Sequence, residues 1–166
     1  MIALLLLACM PDDYVGPLPA GGNTTIPADT GADPSTIEGD WISQGSDLSA
    51  LFAGDPFAYA SVEIFFRTDL SYHAEAVDGG GTSYPIDGTY TADASTSPAT
   101  IHIVQTAPYE AEADGIWQVG GDTLTYEVVQ VVPDYGFTAP TPERGFGSTA
   151  GPGLAIDANI QVYQRM

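Results

Sequence analysis

The chain contains no lysine. Its 166 residues include three arginines, Arg67, Arg144 and Arg165, against 22 acidic side chains, for a formal charge of −19 at pH 7. A surface of that sign has nothing with which to displace counterions from phosphates, which excludes nucleic acid as a partner. A single cysteine, Cys9, excludes an internal disulfide framework, so stability has to come from a packed core. No apolar run reaches the roughly 20 residues of a membrane-crossing helix. Missing too are a Gly-x-Ser-x-Gly nucleophile elbow, a phosphate-cradling glycine loop and a D-x-D-x-D-G calcium loop. Neither an enzyme, a cofactor carrier nor a metal protein is expected from these absences. Hydrophobic residues make up 44 % and charged residues only 15 %, so most of the chain should fold.

The chain opens with "MIALLLLACM", whose apolar run Ile2 to Ala8 is followed at once by Pro11, Asp12 and Asp13. No turn chemistry leads back to a partner strand, and the pattern reads as the apolar part of a secretory signal over residues 1–9. Leu6-Leu7-Ala8-Cys9 resembles the lipobox of bacterial lipoproteins. The resemblance implies that the Cys9 sulfur carries a diacylglycerol group and anchors the protein in a membrane of the cell envelope. Leu7 is bulkier than the residue usual at that place. No Lys or Arg precedes the run, which points to a start further upstream. A lone buried cysteine is the alternative. By analogy with lipoprotein sorting, the absence of Asp at position 10 favours the outer membrane over the inner.

Residues 10–36, "MPDDYVGPLPAGGNTTIPADTGADPST", hold no apolar period and are rich in Pro, Gly, Thr and Asp. They read as a tether, and a coil of that length would hold a domain roughly 25 to 30 Å from its anchor. From residue 37 onward the pattern is alternation. Val62, Ile64 and Phe66 share a face with Ala60, against Ser61, Glu63 and Arg67; Leu70, Tyr72, Ala74 and Ala76 oppose Ser71, His73 and Glu75. Ile86 and Tyr90, Ile101 and Ile103, Trp117 and Val119, and Leu124, Tyr126 and Val128 continue it. The last run places Ile156, Ala158, Ile160 and Val162 inward and Asp157, Asn159 and Gln161 outward. Turn residues separate the runs, the clearest at Gly120-Gly121-Asp122. Only "DLSALFAGD" suits a helix, of one or two turns capped by Asp47 or Ser46. With a first strand at Trp41 there are eight strands. The fold class is all-β, an up-and-down antiparallel meander over residues 37–166 with one short helix after the first strand, closing into a barrel and so removing both sheet edges.

Gly39-x-Trp41 at the start, Gly88-x-Tyr90 with Pro98 and Ile101 beyond, Gly115-Ile116, Gly121-Asp122-x-Leu124 and the final "VYQR" resemble a family of short, uncharacterised, lipocalin-like exported bacterial proteins. The resemblance implies a lipocalin-like barrel and no chemistry. It also implies that Arg165 packs over Trp41, with Gly39 beside it, to close one barrel end. Candidate ligand contacts are Phe66, Tyr72, Tyr90, Trp117 and Tyr126 inside the barrel. Tyr135, Phe137 and Phe146 join them from the long connection 133–154, which would either lid the mouth or cover exposed core. His73 and His102 fall on polar strand faces and read as solvated.

Two functions stay open at this level. One is an envelope lipoprotein binding a small apolar or amphipathic ligand; the other is a ligand-free interaction protein whose bulky inward set, Ile160 included, fills the barrel. A monomer is expected, with the membrane as partner through Cys9. Radiolabelled palmitate should enter the full-length protein and be lost in Cys9→Ser; label persisting in that variant would refute attachment at Cys9.

Overall fold

A computed structural model describes residues 36–166; residues 1–35, with the lipidation expected at Cys9 and nearly all of the expected tether, lie outside the described residues. Eight antiparallel strands follow one another around a closed barrel. They are β1 (Gly39–Gln44), β2 (Tyr59–Phe66), β3 (Ser71–Asp78), β4 (Ser83–Asp93), β5 (Ala99–Ala107), β6 (Ala111–Gly120), β7 (Thr123–Val132) and β8 (Gln161–Arg165). The eight-stranded meander and the short helix after β1 are as the alternation predicts. Sequence neighbours pair because the turns are short. Gly121-Asp122 alone links β6 to β7, with Gly121 at a φ of +64°, a conformation that costs glycine nothing.

Two glycines sit where strands crowd. At Gly88, beside a bulge in the β4–β5 ladder, a Cβ would overlap the Val104 carbonyl oxygen. At Gly115 it would overlap the Glu127 carbonyl oxygen. Both belong to the segments that carry the lipocalin-like resemblance, and here they have a steric reason.

The helical stretch is shorter than one reading of the sequence allows. A 3-10 turn over Gly45–Asp47 leads into one turn of α-helix, α1 (Ala50–Ala53). Its cap is neither Asp47 nor Ser46. Ser49 does this, its hydroxyl accepting from the Phe52 N–H at 3.2 Å.

The inward-facing set departs from the alternation in three places, each with a physical cause. A bulge between Tyr59 and Ser61 turns Ala60 out to solvent and lets Tyr59 point inward. Leu70 belongs to the β2–β3 turn, with a φ of +67° and half its surface exposed. The last strand is inverted: Gln161 and Tyr163 face the core, Asn159 is buried, Ile160 and Val162 lie on the other side, and Ile156 is 84 % exposed in the preceding loop. Ile160 is therefore not part of the lumen. Gln161 can point inward because its side-chain oxygen accepts from the Ser49 N–H (3.0 Å) and the Ser43 hydroxyl (3.4 Å), tying α1 to the wall.

One barrel end is shut by the chain entering it. Residues 36–38 cross that end, where the Trp41 indole N–H donates to the Ile37 carbonyl at 2.8 Å. The Arg165 guanidinium carbon lies 4.1 Å from the Trp41 ring centroid, and its nitrogens donate to the carbonyls of Glu38 (3.0 Å) and Thr36 (3.5 Å). Gly39, at a φ of +136°, leaves room for that guanidinium, which a Cβ there would meet. Cation–π attraction and charge-assisted bonds act on the same few atoms. Arg165→Gln should therefore lower unfolding free energy by about 2 kcal/mol, and Trp41→Ala by about 3 to 5 kcal/mol. Both would appear in urea titrations as a lower midpoint at unchanged slope; an unshifted midpoint for Arg165→Gln would show that the closure contributes nothing.

Candidate functional site

The sequence offers two places for function, the lumen and the long loop. In the lumen, Phe66, Tyr72, Tyr90, Trp117 and Tyr126 all face inward and all are buried. Phe66 is their hub: its ring centroid is 5.4 Å from Tyr72, 4.9 Å from Tyr90 and 6.2 Å from Tyr126. Tyr126 in turn meets Tyr163 edge-on at 6.0 Å. Neither β2 nor β3 neighbours β7 or β8, so these rings meet across the barrel rather than along its wall. Trp117 is held to the wall, its indole N–H donating to the Thr100 carbonyl at 3.0 Å.

Toward the other end, Phe52, Phe57, Tyr59 and Tyr84 form a second aromatic chain with centroids 5.6 to 6.0 Å apart. The hydrophobic residues lining the lumen are 0 to 7 % exposed. A void that could hold water beside any of them would leave accessible surface on its walls. Four of the five inward candidates thus pack against one another through Phe66, and Trp117 is buried in the same cluster. Tyr163 was missed in the sequence because it sits at the inverted parity of β8.

The middle of the long loop is fastened to the outer wall, while Phe137 and Leu154 pack against the core cluster. Glu127, on the outer face of β7, is buried, and its carboxylate accepts the backbone N–H of Gly147 (2.6 Å) and of Thr149 (2.9 Å). That clamp lays the loop against the outer wall, burying Ile116 and Val129 on the face that alternation assigns to solvent. Thr138 and Ala150 pair as an antiparallel bridge within it. Of the three loop candidates, Tyr135 is 42 % exposed, Phe137 packs against the core cluster and beside Gly151, and Phe146 is half-buried. Of these, Phe137 joins the cluster that holds the five lumen rings.

Where the loop stops short, an open groove of about 400 Å³ runs along the outer wall of β4, β5 and β6. Its floor carries Thr91, Asp93, Thr100, His102 and Asp114, and Pro140 and Pro142 of the loop form one side. Thr91, His102 and Asp114 are direct cross-strand partners in one row. His102 Nδ1 lies 2.8 Å from Asp114 Oδ1. His73 makes the corresponding cross-strand pair with Asp87 at 2.7 Å, on β3 and β4. Among the described residues, no three His, Cys, Asp or Glu side chains converge as metal ligands.

No family model, curated protein or solved structure matches the chain. The site has to be read from its own geometry.

The filled lumen has a titration signature. Burial pushes the phenols of Tyr59, Tyr72, Tyr90, Tyr126 and Tyr163 up from the usual value near 10, with the neighbouring Tyr72 and Tyr163 adding to the effect on Tyr126. The native state keeps these protons where the unfolded chain releases them. Their contribution is complete below about pH 10 and is lost as pH climbs toward the raised native values. Phenolate absorbance at 295 nm should therefore remain incomplete until the barrel unfolds in alkali. Full titration of all nine tyrosines while near-ultraviolet circular dichroism is still native would contradict the packing described.

Proposed function

We propose that this protein is an envelope lipoprotein whose barrel is a rigid, side-chain-filled scaffold working through its outer wall, not a carrier of a guest in its lumen. Cys9 supplies the lipid anchor, the outer membrane is its seat, and residues 10–36 set the stand-off. The single observation that carries the reading is the contact of Phe66 on β2 with Tyr126 on β7 across the barrel. Interiors of eight strands are just wide enough for side chains to fill, and aromatic pairs of this kind stabilise by about 0.5 to 1.5 kcal/mol each. A fatty acid could enter only by parting them. The reading is also supported by closure of one end by Trp41 and Arg165 and by the Glu127 clamp, which leaves the polar groove as the accessible concave surface described above.

The same reading makes the barrel non-enzymatic and monomeric, and places it with short lipocalin-like exported proteins in fold but not in cargo. A purified fragment of residues 36–166, titrated with a fluorescent fatty-acid probe, should show no saturable binding at micromolar concentration. Saturable binding that unlabelled fatty acid displaces, and that Tyr126→Ala alters, would return the function to the lumen.

A further inference from the structure

We infer that the Arg144–Gly145 bond is a processing site, the one bond that an arginine-specific endoprotease of the trypsin type cuts in the folded protein, and that the cut barrel persists as two chains. The inference goes beyond the outer-wall reading and does not depend on it.

An enzyme of this class takes a basic side chain into a pocket floored by a carboxylate. With no lysine and three arginines, the chain offers it three bonds in all. Attack at any of them needs the arginine side chain free to enter that pocket. It also needs the carbonyl oxygen free to enter the oxyanion hole, where charge develops. Arg67 fails on both counts. Its guanidinium is committed to Asp40 and to the Phe65 ring, with 16 % of the side chain exposed. Its carbonyl oxygen already accepts from the Leu70 N–H and the Tyr90 hydroxyl, each at 2.9 Å. Arg165 is held over Trp41 and donates to two carbonyls, and the N–H of its bond to Met166 donates to the Asp40 carbonyl at 2.9 Å.

Arg144 differs in each respect. Its side chain is exposed and makes no ion pair or ring contact with any described residue. Its carbonyl oxygen accepts no hydrogen bond from the described residues. A Cβ at Gly145 would meet nothing within 4 Å, so the residue that follows the cut stands in open space. Upstream the loop is held by the Thr138–Ala150 bridge, and downstream by the Gly147 N–H on Glu127. Between these points, among the described residues, the backbone bonds only to itself, in a turn where Arg144 (3.1 Å) and Gly145 (2.9 Å) donate to the Thr141 carbonyl. Opening that turn extends residues 139–146 into a protease cleft without disturbing a strand.

Hydrolysis breaks the C–N bond, water supplying hydroxyl to the Arg144 carbonyl carbon and a proton to the Gly145 nitrogen. Residues 145–166 then form a separate chain, and none of their fastenings runs through the cut bond. Glu127 holds Gly147 and Thr149, Asn159 donates to the Val128 carbonyl, and Gln161 is tied to Ser49. Tyr163 stays in the core and Arg165 over Trp41. β8 therefore keeps its place between β7 and β1.

The test digests the full chain with trypsin and follows the products by intact mass. The first native products should be residues 1–144 and 145–166, with Arg144 cut about a hundredfold or more faster than Arg67, which is reached only by wider opening. Arg144→Gln should leave the native chain free of internal cuts over the same period, and Arg144→Lys should restore the cut. Digestion of the unfolded chain in urea should lose the preference. The two products should co-elute by size exclusion with native near-ultraviolet circular dichroism, and part only in urea. First cleavage at Arg67, an uncut Arg144, or unchanged internal cutting of Arg144→Gln would overturn the site. Separation of the two products without denaturant would overturn the two-chain state. None of these outcomes bears on fatty-acid binding, so the filled-lumen reading stands or falls separately.

Discussion

The barrel depends on one contact made across its centre, that of Phe66 with Tyr126. Strand pairing closes a wall, but a wall of eight strands encloses a space that has to be occupied by something. Here it is occupied by the wall's own side chains. Phe66 joins Tyr72 and Tyr90 on its own side to Tyr126 and, through it, Tyr163 on the other. Five strands are thereby held at a fixed separation by dispersion and edge-to-face attraction, without a disulfide and with few ion pairs. The Tyr90 hydroxyl fixes the cluster further by donating to the Arg67 carbonyl in the β2–β3 turn at 2.9 Å.

A lumen packed this way moves the polar work elsewhere. Buried amides hold the connections: Gln105 donates to the Tyr109 carbonyl at 2.9 Å, Gln130 to that of Pro133 at 3.2 Å, and Asn159 to that of Val128 at 2.9 Å. The other end of each of these amides is buried with no partner among the described residues, as is the Tyr126 hydroxyl. Groups of this kind cost about 1 to 3 kcal/mol each, so the aromatic packing has to exceed them. The scarce arginines follow the same logic. Two of the three close the barrel end or brace its outer face. The long loop is secured by a carboxylate, Glu127, accepting two backbone N–H groups.

Much of the fold was legible in the sequence because period-2 alternation is enforced wherever one face is dry and the other wet. Val62, Ile64 and Phe66, and Tyr72, Ala74 and Ala76, obey it and face the lumen. Reading failed where that condition fails. On β7 the loop makes the outer face dry as well, so Glu127 and Val129 are buried beside Tyr126 and Val128. On β8 the inward residues include the polar Gln161, satisfied by the backbone of Ser49, while the apolar Ile160 and Val162 lie on the opposite face. Parity there is decided by partners that are 112 residues away in sequence. The aromatic site candidates were visible as residues, but whether they line a cavity or fill it depends on ring-to-ring distances. The groove was not legible at all. Its row of Thr91, His102 and Asp114 exists only through strand register, and its proline side only through the placing of the loop.

The most direct measurement is a nuclear Overhauser experiment on selectively labelled aromatic rings. With the barrel filled, ring protons of Phe66 show cross-peaks to those of Tyr126. If instead no such cross-peak appears and the Phe66 ring exchanges magnetisation with water or with an added apolar guest, the lumen is open and the account is wrong at its centre.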